Sequence, residues 1–159
     1  MNIDAIKDLA KNMRIDILNM TSNANSGHPG GSLSSTDIVS VLYGSIMNYD
    51  SSNPKWEDRD RFILSKAHAC PVLYAALAET GFFDKSELMT FRKLNSRLQG
   101  HAHIKTPGVE MSGGSLGQGL SFGVGVSLAA KIDKKNYKTY VLLGDGELNE
   151  GQIWEAIMS

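Results

Sequence analysis

One short turn carries the residue types that could bind a metal-bound phosphate. Gly144-Asp145-Gly146 directly follows the apolar run 139–143, which has the length and composition of a buried strand. An aspartate at the carboxyl end of such a strand offers a fixed oxygen ligand to a hard cation, and the flanking glycines let backbone N–H groups approach phosphate oxygens. The turn therefore predicts a site for a metal-bound diphosphate. Taken alone, Asp-Gly is more often an ordinary turn, so this interpretation needs support from other residues.

Two other kinds of ligand site do not fit the sequence. A calcium-binding EF-hand loop that began at Asp145 would need glycine and glutamate at two later positions, which are occupied by Glu150 and Ala156. Gly117-Gln118-Gly119 resembles the start of a dinucleotide-binding fingerprint. However, no strand precedes it, and Phe122 stands where the third glycine should be.

The elements that must position this turn alternate between helices and short strands. Residues 62–64 predict a second buried strand, the run from Pro71 to Thr80 predicts a helix that ends at Gly81, and residues 119–130 predict a closely packed helix. Apolar residues at steps of three and four predict a first amphipathic helix; they are Ile6, Leu9, Ala10, Met13, Ile17 and Met20. This alternation predicts an α/β fold, an open and mainly parallel sheet flanked by helices, with ligands at the carboxyl ends of its strands.

Two capping-box patterns predict the starts of further helices. Ser34 with Asp37 would open one helix, and Asp84 with Glu87 would open another. The apolar residues expected on their buried faces are Val39, Leu42 and Ile46 in the first and Leu88, Phe91 and Leu94 in the second. Residues 95–119 form the longest stretch without clear periodicity, and we interpret it as an ordered functional loop. Three large aromatic residues are expected to be packing residues: Tyr43, Trp56 and Trp154.

Composition limits the classes of function. The 159 residues carry 16 basic and 17 acidic side chains, a net charge of -1, and no block of like charges, which argues against nucleic acid or a membrane surface as partner. No window is long and apolar enough for a membrane span, and the first residues lack the basic stretch and apolar core of a leader, so we expect a soluble protein that is not exported. The single cysteine, Cys70, lies in an apolar run and is expected to be a buried, inert thiol, which fits a cytoplasmic protein of one domain.

Six motifs resemble, in order, the successive motifs of transketolases, enzymes that depend on thiamine diphosphate. They are residues 26–30 (SGHPG), 58–62 (DRDRF), 100–101 (GH), 107–110 (PGVE), 115–119 (SLGQG) and 144–151 (GDGELNEG). The resemblance covers essentially the whole chain. The early position of the first motif is similar to that in the amino-terminal subunits of transketolases that are split across two polypeptides.

The resemblance implies a cofactor site made of thiamine diphosphate and a divalent metal, magnesium or alternatively calcium or manganese. Asp145 would bind the metal. Gly146, Glu147 and the segment Gly114-Ser115-Leu116 would contact the cofactor, and His68 would contact its diphosphate. The residues before that histidine, Lys66-Ala67, depart from the Gly-His that is usual in the family.

The resemblance also implies catalytic residues and partners. His28 and His101 would face the thiazolium and the sugar, where an imidazole can donate or accept a proton near neutral pH. Glu150, and less clearly Glu155, match acidic positions near the family's dimer interface. The expected partners are sugar phosphates, a C-terminal transketolase subunit, and a second copy of the resulting pair.

In the family, the metal site is completed by an asparagine further along the chain than Ser159, and a second domain supplies the glutamate that activates the pyrimidine. We therefore expect residues 1–159 to form a partial thiamine-diphosphate-binding domain, incomplete at its C-terminus and inactive alone, with the pyrimidine-side domain absent. Two alternatives stay open. One is a related enzyme, such as 1-deoxyxylulose-5-phosphate synthase or a ketol transferase for another sugar, although residues 146–151 favour transketolase. The other is an inactive truncated subunit that binds only a partner.

Overall fold

The computed structural model describes residues 2 to 159. Within them lie six α-helices and two β-strands, joined by single turns of π or 3-10 helix. In chain order the elements are α1 (Ile3–Ala24), α2 (Pro29–Leu33), α3 (Thr36–Val41), β1 (Arg61–Leu64), α4 (Cys70–Glu79), α5 (Gln118–Ile132), β2 (Thr139–Leu142) and α6 (Gly151–Met158).

The two strands pair in parallel and place both of the following loops at one edge. Arg61 pairs with Thr139 and Leu64 with Leu142. The Ser65 amide then donates to the Leu142 carbonyl at 3.0 Å, so the chain leaves both strands side by side. Both predicted strands and their parallel arrangement are confirmed, with helices packed around them.

Helices α1 and α4 pack against each other and form most of the hydrophobic core. The apolar stripe predicted for α1 is confirmed, since Met13, Ile17 and Met20 are fully buried. Helix α4 is buried on all sides rather than on one face, as its uniformly apolar sequence requires. It ends as predicted at Gly81, whose φ of 87° lies in the left-handed region that favours glycine.

The first predicted capping box does not form. Ser34 closes α2 instead of opening a helix, and its hydroxyl donates to the Gly31 carbonyl, while the Asp37 carboxylate accepts from Arg14 at 2.7 Å. The reason is Pro29, which suits the first position of a helix and starts α2 earlier than the capping pattern implies. The predicted helix is therefore divided into α2, α3 and a π turn, and Ile46 at the end of that turn is exposed.

The second capping box forms only in part. The Asp84 carboxylate accepts from the Ser86 amide, but Glu87 is paired with Arg97. The segment is a 3-10 helix that ends at Thr90, so Leu88 and Phe91 are buried whereas Leu94 is 92% exposed.

Helix α5 covers the sheet through its smallest residues. A β-carbon at Gly123 would lie 2.6 Å from Val141 Cγ2, so the absence of a side chain there permits close packing on β2. The opposite face of α5 leaves Phe122, Leu128 and Ile132 exposed. Trp154 on α6 is also more than half exposed, which contradicts its expected role as a packing residue, whereas Tyr43 is buried as predicted. Across residues 2–159, the helices are all too short or too polar to cross a membrane.

Candidate active site

Two of the predicted histidines lie against each other at the edge where the strands end. His68 belongs to the loop that follows β1, and His28 immediately precedes α2. Their rings meet edge to face with centroids 5.2 Å apart. The His68 ring also lies close to Gly31, where a β-carbon would be 3.7 Å from its Nε2. The two loops that carry these histidines are thus packed together without any intervening side chain.

The surroundings of His68 favour its neutral form. Burial lowers its pKa below the ordinary value, the neighbouring His28, Lys66 and His101 lower it further, and Glu147 opposes the shift. A neutral imidazole donates through one ring nitrogen and accepts through the other.

The loop before His101 is held from the side of α4. The Tyr74 hydroxyl donates to the Gln99 carbonyl at 2.9 Å, and the Cys70 thiol lies 3.2 Å from the Gly100 carbonyl. Burial raises the pKa of Cys70 to about 12, so the thiol stays protonated and can donate this weak hydrogen bond. The prediction that Cys70 is buried and unreactive fits this environment.

The Gly144-Asp145-Gly146 turn follows β2 and opens to solvent. Asp145 is exposed, and within residues 2–159 its carboxylate accepts no hydrogen bond. A β-carbon added at Gly146 or at Gly114 would meet no atom within 4 Å. The chain is therefore open on the side that Gly114 and Gly146 leave without a side chain, and the Asp145 carboxylate is unpaired within these residues.

Glu147 is the contact point of three loops at this site. Only 2% of the residue is exposed. Its carboxylate accepts hydrogen bonds from the Ser65 hydroxyl at 2.5 Å, the Gly117 amide at 2.7 Å and the Gly144 amide at 2.9 Å. Ser65 in turn accepts from the Gly119 amide at 3.2 Å. One buried carboxylate thus joins the end of β1, the start of α5 and the turn after β2.

Lys66 and Ser65 were not among the residues predicted for the site. The Lys66 ammonium donates to the Gly31 carbonyl at 3.2 Å, and burial lowers its pKa while Asp145 and Glu147 oppose that shift. Both residues directly follow the apolar run of β1, and polar residues at the carboxyl end of a buried strand are the signal that could have identified them.

Ala67, which stands where the family usually has glycine, packs against a glycine at position 113. A β-carbon on Gly113 would lie 2.6 Å from Ala67 Cβ, which is much closer than two carbon atoms can approach. Ala67 itself is buried, so its methyl group occupies the space that Gly113 leaves free.

Glu150 and Glu155 lie at the start and in the middle of α6, and both are exposed. Neither carboxylate makes a hydrogen bond or ion pair within the part of the chain that the structure describes. In the same residues, 2–159, no group of three histidine, cysteine, aspartate or glutamate side chains could hold a metal ion.

Known proteins resemble this chain along nearly all of its length. The family described as "Transketolase, thiamine diphosphate binding domain" matches residues 5–159. Human transketolase is 45% identical over 98% of this chain and 25% of its own length. A separately encoded subunit of the apulose-4-phosphate transketolase from Phocaeicola vulgatus is 42% identical over the whole chain and 57% of its own length.

Solved structures of transketolases have the same fold as this chain. The crystal structure of transketolase from Campylobacter jejuni superposes with a TM-score of 0.91 at 40% identity, over 98% of this chain and 26% of that one. The chain therefore spans about a quarter of the full-length transketolases and just over half of the Phocaeicola polypeptide. On its sequence and its fold, this chain belongs to the transketolase family and corresponds to the thiamine-diphosphate-binding domain.

Proposed function

We propose that this chain is the amino-terminal part of a transketolase, which transfers a two-carbon ketol unit between sugar phosphates in the cytoplasm. The observation that carries the proposal is the assembly, at one edge of the sheet, of His28, His68 and the Asp145 turn. These residues come from three distant parts of the chain, all within the region that matches the family, and His28 and the Asp145 turn lie in two of the motifs described above.

Thiamine diphosphate with a divalent metal fits the residues that are present. The free carboxylate of Asp145 suits magnesium, which binds few protein carboxylates and takes further oxygen ligands from a phosphate. The open backbone at Gly114 and Gly146 leaves room for a diphosphate to approach. We propose that Asp145 holds the metal, that Gly114-Ser115-Leu116 and Gly146 contact the cofactor, and that the remaining metal ligands come from outside these residues.

When bound, thiamine diphosphate supplies the carbon nucleophile for the transfer. The lowered pKa of His68 favours the neutral imidazole, which would donate one N–H to the diphosphate, while the Lys66 ammonium would add positive charge beside it. His28 and His101 hold the sugar hydroxyls and move their protons. Glu147 acts through its three hydrogen bonds, which fix the loops that carry the cofactor contacts.

The site needs further polypeptide. We propose that a pyrimidine-side domain, carried by a C-terminal subunit or domain, packs on the exposed face that contains Glu150, and that two such pairs form a dimer. Glu150 is free to make contacts there, because its carboxylate has no partner within residues 2–159.

A second donor sugar has specific support. One relative that is 42% identical over the whole chain is a separate polypeptide of an enzyme named for apulose 4-phosphate. A ketol transferase for that sugar would use the same His28 and His101. These residues therefore do not distinguish apulose 4-phosphate from xylulose 5-phosphate as the donor.

The proposal is tested by assaying the complete enzyme, in which this chain is joined by its pyrimidine-side domain. We expect ketol transfer from xylulose 5-phosphate or apulose 4-phosphate to an aldose phosphate, and we expect it to require thiamine diphosphate and magnesium. The chain without that domain should be inactive. Absence of transfer from both donors by a complete enzyme that binds thiamine diphosphate would contradict the proposal.

A further inference from the structure

Arg92 has an unusual backbone conformation close to the histidine loops. Its φ is 60°, in the left-handed region that an arginine seldom adopts, and it lies two residues after the 3-10 segment Lys85–Thr90. The conformation is held by a hydrogen bond from its own amide to the Leu98 carbonyl at 2.8 Å. Such a conformation persists only where surrounding contacts fix it, and these often lie at functional sites.

The Arg92 guanidinium connects two loops that are distant in the sequence. Its Nη1 donates to the Ser26 hydroxyl at 2.7 Å. Its flat face lies against the backbone of Gly100, where an added β-carbon would be 2.7 Å from Cζ. The ring of Phe91 supports the same guanidinium, with Cζ 5.6 Å from the ring centroid. A side chain at position 100 would thus displace the guanidinium.

Both contacts lie next to predicted catalytic histidines. Ser26 is two residues before His28, and Gly100 directly precedes His101. Tyr74 and Cys70 hold the carbonyls of the second loop from the side of α4, and their hydrogen bonds do not extend to Ser26. The Arg92 side chain reaches both loops and so connects one to the other.

We propose that Arg92 is a positioning residue, which fixes the separation and orientation of His28 and His101 and so controls the ketol transfer step without contacting the cofactor. The proposal rests on the function proposed above. It makes a specific distinction: turnover depends on Arg92, whereas cofactor binding, through Asp145 and Gly114, does not.

Arg97 provides a matched control in the same loop region. Its guanidinium also lies over an aromatic ring, Phe83 at 5.2 Å, and also makes one side-chain contact, to Glu87 at 2.7 Å. Neither of these interactions involves a histidine loop. Arg92→Met and Arg97→Met therefore remove similar interactions from similar positions, and only the first releases Ser26 and Gly100.

The variants are made in the complete enzyme, and kcat, donor KM and the thiamine diphosphate concentration for half-maximal activity are measured. For Arg92→Met we expect kcat/KM to fall about tenfold to a hundredfold, since small misplacements of catalytic groups have effects of this size. The thiamine diphosphate concentration for half-maximal activity should change less than about twofold. Arg92→Lys should recover part of the loss, because an ammonium can still donate to Ser26, whereas Gly100→Ala should reproduce the defect.

A second measurement does not depend on activity. The rates at which diethyl pyrocarbonate modifies His28 and His101 are followed by mass spectrometry of peptides, and both should change several-fold in Arg92→Met but not in Arg97→Met. Equal effects of the two substitutions, or unchanged histidine reactivity in Arg92→Met, would overturn the proposal. If the parent enzyme transfers no ketol unit, the proposed function fails, while the histidine rates still decide whether Arg92 positions the loops.

Discussion

Helices α1 and α4 enclose a core whose largest side chains are completely buried, whereas α5 and α6 bury mainly small residues and leave large apolar ones exposed. We call these the closed half (residues 2–112, with α1 to α4 and β1) and the open half (residues 113–159, with α5, β2 and α6). Strand β1 is buried almost throughout, while every residue of its neighbour β2 is only half-buried.

The difference separates two tasks. The closed half buries most of the large apolar side chains and carries His28 and His101, which are expected to face the substrate, together with His68, which is expected to contact the diphosphate. The open half carries the expected metal ligand, Asp145, and the other expected cofactor contacts. Exposed apolar faces of this kind mark interaction sites, and we expect other parts of the assembled enzyme to cover them.

The largest effect should come from truncating the core of the closed half. Leu77→Ala removes a fully buried side chain of α4 and should lower the free energy of unfolding by about 3 kcal/mol. Leu128→Ala, on the exposed face of α5, should cost less than about 0.5 kcal/mol in the same chain. Urea denaturation measures both. If both substitutions lower the free energy of unfolding by a similar amount, the two halves do not differ in packing. If Leu128→Ala lowers it more in the assembled enzyme than in this chain, the exposed face of α5 is covered there.

Asp145→Asn tests the division between cofactor and substrate groups. Loss of the carboxylate charge should weaken metal-dependent binding of thiamine diphosphate by about a hundredfold, which is about 2.7 kcal/mol. His101→Ala, in the closed half, should leave this affinity almost unchanged and lower turnover instead. Isothermal titration of the cofactor with magnesium into the complete enzyme distinguishes them, and equal losses of affinity would mean that the roles are assigned wrongly.

Gly119→Ala tests the junction between the halves. The added methyl would lie 2.5 Å from Ser65 Cβ and 2.7 Å from Ser65 Cα. The substitution should therefore lower the free energy of unfolding by about 2 kcal/mol and separate α5 from the end of β1. Gly125, on the same helix, has open space around its Cα, and Gly125→Ala should stabilise the chain by about 0.5 kcal/mol. Thermal denaturation compares the pair, and similar effects would show that the junction is loosely packed.

Glu147→Gln tests whether one carboxylate joins the loops. The amide group of glutamine donates where a carboxylate oxygen accepts, so one buried backbone N–H loses its acceptor, and cofactor affinity should fall about tenfold. Glu110→Gln is the control, since Glu110 is also largely buried but is paired with Arg59 at 2.7 Å in the closed half. If Glu110→Gln weakens cofactor binding as strongly, the effect reflects general destabilisation.

The smallest effect should be a pH dependence within the closed half. Burial, followed by the neighbouring Glu79 carboxylate, raises the pKa of Asp16 from 3.8 to about 6, and the Lys85 ammonium, 3.1 Å from Asp16 Oδ2, limits the shift. The folded state then binds this proton more tightly than the unfolded state. The free energy of unfolding should therefore decrease by about 1 kcal/mol as the pH rises from about 4 to about 6, and change little from this group above that range. Asp16→Asn should remove the dependence in urea titrations at several pH values, and an unchanged profile would exclude Asp16 as its source.

Much of the closed half could be predicted from the sequence because its signals are local. The spacing of apolar residues in α1, the Gly81 stop of α4 and the short apolar strands all depend on neighbours a few positions away. The capping pattern at Ser34 failed because a stronger local signal, Pro29, started the helix first.

The connections within the site could not be predicted in this way. The contact between Ser65 and Glu147 joins residues 82 positions apart, and the contact between Arg92 and Ser26 joins residues 66 positions apart. Neither leaves a periodic pattern in the chain. Family motifs identified which residues belong to the site, but the side chains that hold the loops together emerge only from the folded arrangement.

The contact between Ala67 and Gly113 makes these two positions dependent on each other in evolution. With a methyl at residue 67, a second methyl at residue 113 would overlap it, since the two carbons would be 2.6 Å apart. Ala67→Gly removes the obstacle, so Gly113→Ala should be tolerated only after that first change, and the double substitution should be less harmful than Gly113→Ala alone. A lineage that carries alanine at position 67 is thereby restricted to glycine at position 113. Alanine can become established at position 113 only in a lineage in which position 67 has first changed to glycine.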